Sequence, residues 1–119
     1  EALVRVLERG EPGRTYCIGT GQSKRNIDVV RGICAVLDRL APDPAGSRER
    51  LIHFVTDRPG HDFRYEIDPT AARTGLEWRA QHDFEGGLTK TVEWYLAHRP
   101  WWEDIRARRY GGQRLGTGA

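Results

Sequence analysis

Between Asn26 and Leu40 the apolar residues Ile27, Val30, Ile33, Cys34, Leu37 and Leu40 recur at steps of three and four. That spacing sets them on one face of a helix, which must bury that face against something. Asn26 is placed to cap the helix, and Asp28 lies in the first turn, where the helix dipole favours negative charge. Material to cover the face is scarce. Leu, Ile, Val and Phe together make up 25 of the 119 residues. A share of about one-fifth lies close to the level at which chains stay disordered, so the core must be modest. The length is that of one domain.

The rest of the chain alternates helical and extended patterns. Ala2, Leu3, Val6 and Leu7 share a helical spacing that stops at Gly10. No capping residue opens this helix, which predicts a sequence that starts inside an element of a longer protein. EPGR (11–14) reads as a turn, and TYCIG (15–19), LIHFVTD (51–57) and FRYEID (63–68) read as short strands. APDPAGSRER between them reads as a loop. Pro69, at a first helical position, opens a short helix over about 70–75. Asp83 caps a longer helix with Phe84, Leu88, Val92, Tyr95 and Leu96 inward, although Gly86 and Gly87 weaken its first turn. Pro100 ends that helix and starts a last amphipathic piece, WWEDIRARRY. The expected architecture is α/β: a small mixed domain of about four or five helices and three short strands over residues 1–110, with a flexible tail at 111–119. Three short strands make a poor sheet, so apolar surface should remain for a partner domain.

Charge and cysteine exclude more than they assign. Nineteen basic and 17 acidic residues give a formal charge of +2, too small to imply nucleic acid. No apolar run approaches the roughly 18 residues that span a bilayer, and no positively charged apolar leader opens the chain. Cys17 and Cys34 lack the close second pair of a zinc site and read as reduced thiols of a cytoplasmic protein; no metal is expected. His53, His61, His82 and His98 show no metal-binding spacing, and no serine sits in a nucleophile elbow. His53 and His98 read as structural, and Trp94, Tyr95, Trp101 and Trp102 as core. Arg106, Arg108 and Arg109 read as a solvated helix face.

Two segments carry candidate chemistry. GTGQSKRN (19–26) ahead of a helix invites a phosphate-cradle reading, yet it matches neither the Walker pattern nor GxGxxG, because Lys24 stands at the third glycine. An ordinary capped loop is the plainer account, and Asn26 is either a cap or an amide offered to a ligand. TDRPGHD (56–62) packs an Arg, a Pro-Gly turn, a His and two carboxylates into seven residues at a strand end. Pro59-Gly60 suits a type II turn that would fix Arg58 and His61 where α/β sheets bind ligands. Arg offers a planar fork to a diphosphate. The alternative is a surface hairpin whose Arg58 pairs with Asp57 or Asp62.

In order, TYCIGTGQSKRNIDVV, DRPGHDFRYEID, GLEW and FEGGLTKTVEWYLAHRPWW resemble the C-terminal part of the dTDP-glucose 4,6-dehydratases. These are extended short-chain dehydrogenase/reductases, and the resemblance runs from residue 1 to about residue 110. Related epimerases and decarboxylases share a shorter RPGD-type loop; His61 in place of that Asp favours the dehydratase branch. Cys17 replaces a common Asn, as a tolerated core change. Complete members join an N-terminal Rossmann domain, which holds NAD and carries a Tyr-xxx-Lys pair and an Asp-Glu pair, to a smaller lobe that binds the nucleotide sugar. The resemblance implies that this chain is that lobe without its Rossmann domain. The residues four after Tyr16, Tyr65, Tyr95 and Tyr110 are Thr20, Pro69, Arg99 and Arg114, so no Tyr-xxx-Lys pair is present.

The implied roles are therefore in binding only. Asp57, Arg58, Pro59, Gly60 and His61 would line the diphosphate of a dTDP-sugar, with Arg58 neutralising phosphate charge. Asn26 would hydrogen-bond the nucleotide, while Lys24 and Arg25 add field without contact. No catalytic, cofactor-binding or metal residue is implied in this chain. The complete enzyme, a homodimer using NAD and needing neither nucleic acid nor membrane, oxidises the sugar at C4, eliminates water across C5–C6 and returns hydride to C6. The product, dTDP-4-keto-6-deoxyglucose, feeds deoxysugars such as rhamnose. Two rival readings are the equivalent lobe of an epimerase or decarboxylase, and a non-enzymatic module whose Arg-rich end binds nucleic acid.

Overall fold

The structure, a computed structural model, describes residues 1–108, 110 and 112. Among them are five α-helices: α1 (Ala2–Arg9), α2 (Asn26–Leu40), α3 (Thr70–Gly75), α4 (Phe84–Ala97) and α5 (Arg99–Arg108). A 3-10 turn at Arg48–Leu51 interrupts the expected loop after α2. Apart from Gly112, the expected tail at 111–119 lies outside the described residues.

The helix that the sequence marks most firmly finds its cover in α4. The two lie against each other with Cys34 and Val92 buried between surrounding apolar side chains. Gly32 lets them approach closely, since a Cβ there would sit only 3.0 Å from Leu88 Cδ2. Asp83 caps α4 as expected, its carboxylate accepting from the Gly86 N–H at 2.8 Å. Gly86 has a reason beyond flexibility: a Cβ on it would press to 2.9 Å from the capping oxygen. The α2 cap differs from expectation. Arg25 is the last extended residue and Asn26 the first helical one, because Arg25 grips Asp28 across the first turn at 2.7 and 2.9 Å. Pro69 likewise lies one position outside α3.

A second, smaller packing centre surrounds α3, where Ala72 and Leu76 are wholly buried. Arg5 of α1 donates to the Leu76 carbonyl at 3.4 Å, and Arg9 pairs with Glu77 at 2.5 Å. These contacts hold the end of α3, where Glu77 takes φ +51.

The three expected strands are absent among the described residues. The runs 15–19, 52–57 and 63–68 contain no β-ladder. A strand must pair its backbone groups and bury one face, and neither condition is met here. Phe54, Val55, Phe63, Tyr65 and Ile67 face solvent, Phe63 completely. The fold is thus mainly helical, and the surplus of apolar surface anticipated from the sequence is present. The radius of gyration agrees: 18.2 Å, against about 13–14 Å for a compact domain of this length.

The aromatic cluster is also not core. Trp94, Tyr95 and Trp101 are each about half exposed where α4 meets α5. His98 ends α4 with its ring stacked on Trp94 (centroids 4.3 Å apart) and its Nδ1 2.7 Å from the Trp94 carbonyl. Trp102 Nε1 donates to the Tyr95 carbonyl at 2.9 Å. Too few partners cover this junction for its rings to be buried. Arg108 pairs with Asp104, as on a solvated face, and Arg109 lies outside the described residues. Cys34 is buried and Cys17 exposed, both free, so Cys17 is not the core position expected of it. No helix among the described residues is long and apolar enough to cross a membrane.

Candidate functional site

The loop 57–61 is organised by one carboxylate. Asp57 Oδ1 accepts from the Arg58 backbone N–H at 2.7 Å, and both its oxygens lie 2.8–2.9 Å from His61 Nδ1. Between these contacts the chain turns through Pro59 and Gly60, with Gly60 at φ +70. A Cβ on Gly60 would meet nothing, so glycine is needed there for its backbone angle alone. Hydrogen bonding from His61, then from the Arg58 N–H, holds the Asp57 carboxyl below its usual range. Asp57 is therefore an anion occupied within the loop.

That occupation bears on the hairpin alternative, in which Arg58 would pair with Asp57 or Asp62. Arg58 pairs with neither Asp57 nor Asp62: its guanidinium has no ion pair and no side-chain hydrogen bond among the described residues. Lys24 and Arg25 behave differently. Lys24 pairs with Glu85 at 2.9 Å over the Phe84 ring, and Arg25 with Asp28, so both charges are compensated locally. Their carboxylates respond: Lys24 lowers the Glu85 carboxyl, and Arg25 lowers that of Asp28.

Asn26 is exposed at the first position of α2, and its amide makes no hydrogen bond among the described residues. It stands at the edge of a cavity of about 620 Å³ between α2 and the segment 51–54, lined also by Val30, Cys34, Leu37, His53 and Phe54. Arg48 lies on the same wall but is engaged, donating to Asp38 at 3.0 Å and to the Ala41 carbonyl at 2.6 Å. The segment that lines this cavity runs on into 57–61. The loop residues themselves do not line it, and the structure does not bring Asn26 and Arg58 together in one cavity.

His53, structural by its sequence pattern, is exposed and lines this cavity. Its signal was weak, because a histidine between Ile52 and Phe54 matches an inward strand position equally well. Tyr65 was missed altogether. Its ring lies 6.4 Å from that of His61, and it also borders a smaller cavity of about 210 Å³ formed by residues 19–23 and 65–67.

The residues present do not fit an NAD site. The glycine loop 19–23 is braced on one side by this chain's own Arg73, which donates to the Thr20 carbonyl at 2.7 Å and whose Nη2 would lie 3.1 Å from a Cβ on Gly21. No strand leads into the loop, and the Tyr16 hydroxyl is taken up by the Glu11 N–H. Among the described residues no group of three or more His, Cys, Asp or Glu is placed to hold a metal.

No family model matches the chain. It is 47% identical over 118 residues to a dTDP-glucose 4,6-dehydratase of Escherichia coli, covering 97% of the chain and 33% of that protein. It is 50% identical over 115 residues to a probable dTDP-glucose 4,6-dehydratase of Sinorhizobium fredii, again covering 97% and 33%. To the dTDP-glucose 4,6-dehydratase of Neisseria meningitidis serogroup B it is 49% identical over 120 residues. The chain therefore spans about a third of the length of these relatives. Among solved structures it resembles a Bacillus anthracis dTDP-glucose 4,6-dehydratase in complex with NAD, with a TM-score of 0.72 at 34% identity. That match covers 87% of this chain and 30% of the other.

Proposed function

We propose that this chain, a homologue of the dTDP-glucose 4,6-dehydratases over a third of their length, is the C-terminal, nucleotide-sugar-binding part of such an enzyme. The observation that carries the reading is the Arg58 guanidinium, which has no ion pair or side-chain hydrogen bond among the described residues, on a turn held by Asp57 and Gly60. An arginine kept from both neighbouring carboxylates is preorganised for an external anion, and its planar fork matches phosphate oxygens. Asn26, with a free amide at the mouth of the apolar cavity, is suited to hydrogen-bond the nucleoside portion.

In this reading the chain binds and orients dTDP-glucose but performs none of the chemical steps. NAD supplies the hydride chemistry from a Rossmann domain outside this chain. The exposed residues Phe54, Val55, Phe63 and Ile67 would be covered by that domain, which supplies the neighbours that the extended runs lack here. The complete enzyme would be a cytoplasmic homodimer of deoxysugar biosynthesis, its self-association resting on segments outside this chain.

The test is the affinity for dTDP. Arg58→Ala should weaken binding by about 1.5–3 kcal/mol, the scale of a hydrogen bond to a charged group. An unchanged dissociation constant would remove Arg58 from the site.

A further inference from the structure

We propose that nucleotide binding at this loop takes up a proton: Asp57 is a positioning residue that fixes His61 with Nδ1–H inward, so that Nε2 meets the diphosphate only when protonated. The inference rests on the reading of residues 57–61 as the diphosphate loop. Its basis is the pairing of His61 Nδ1 with both Asp57 oxygens at 2.8–2.9 Å. A carboxylate can only accept, so Nδ1 must donate. In a neutral imidazole that leaves Nε2 as a bare lone pair. Turned toward a phosphate oxygen, that lone pair faces another acceptor and repels it. A proton taken from bulk solvent onto Nε2 converts the same atom into a charge-assisted donor.

The surroundings favour this outcome. The charged and titratable groups about His61 are Asp57 against Nδ1, Arg58, Asp62 next in sequence, and Tyr65 with its ring 6.4 Å away. Asp57 is held in its ionised form by the same hydrogen bonds, so it stays an anion while the imidazole charges. Protonation of His61 then adds one positive charge to a loop that already carries Asp57, Arg58 and Asp62. Asp57 does not touch the ligand in this arrangement. Its oxygens are already engaged, and a carboxylate facing a diphosphate would be repelled.

The experiment is calorimetric titration of this chain with dTDP-glucose at neutral and at mildly alkaline pH, in HEPES and in Tris. The diphosphate of this probe is esterified at both ends and does not titrate near neutrality, so proton exchange reports on the protein. The expected result is net proton uptake on binding, seen as a buffer-dependent heat. Nitrogen-15 spectra of His61 should show both ring nitrogens protonated in the complex. In Asp57→Asn the uptake should fall below half, because the amide releases Nδ1 from its obligatory donor role; in His61→Gln it should vanish. Binding with no buffer dependence overturns the proton-linked role and leaves the diphosphate reading standing. Uptake that persists in His61→Gln overturns it as well. No binding at millimolar dTDP-glucose overturns both.

Discussion

The α2–α4 pair and the segment 51–68 are both rich in apolar residues and use them in opposite ways. In the helix pair, three- and four-residue spacing gathers Cys34 and Val92 into a buried seam. In the extended segment, Phe54, Val55, Phe63 and Tyr65 lie in solvent around a loop whose polar contacts are nearly all within itself. A helix closes its hydrogen bonds locally and needs only one partner face, whereas an extended run needs a neighbour for its backbone as well. Stability in this chain therefore resides in the helices, and the candidate binding groups other than Asn26 sit on the part that waits for a neighbour.

Substitutions can break that contrast. The largest effect should come from Leu76→Ala, which empties a wholly buried position; a loss of about 2–5 kcal/mol is expected, read as a shift in the urea midpoint. Gly32→Val should cost about 1–3 kcal/mol by forcing Leu88 off α2, and a variant as stable as the parent would show that the helices do not meet there. Asp83→Ala should lower stability by about 1 kcal/mol through the lost cap, with Asp83→Asn retaining most of it. At the other end of the scale, Phe63→Ser should change the midpoint by less than about 0.5 kcal/mol, because the side chain is already in water. A large effect of Phe63→Ser would mean that the extended segment is packed after all.

Acid should sharpen the same contrast. Asp38 is held below its usual range by hydrogen bonds from Ser47, then from Arg48, and Asp43 by the Ala45 N–H and Arg50. A carboxyl lowered in the folded state adds stability that is present above its ordinary value of 3.8 and is lost as pH falls through the folded value. The urea midpoint should therefore fall as pH drops from about 5 toward 3. Asp38→Asn should flatten that slope, while Asp57→Asn, in the unpacked loop, should flatten it least.

Much of the helical architecture was legible because its causes are local. The α2 seam, the Asp83 cap and the Pro59-Gly60 turn each follow from a handful of adjacent residues. The strands were not legible as absences. Their β-branched and aromatic residues carry the right propensity, but pairing depends on what lies alongside, which no local pattern reports. The site was half visible. The composition of residues 56–62 pointed to an anion, but nothing in it decided between His61 and Arg58 as the partner of Asp57. Four residues of separation and a glycine with positive φ bring His61 back to Asp57, and that leaves the Arg58 guanidinium without an ion pair among the described residues.

The most direct test is an amide-resolved titration of this chain with dTDP, using UDP as the control. A preformed half-site predicts shifts confined to residues 24–26 and 57–61 under dTDP. An absence of shifts in both segments at millimolar dTDP would contradict it.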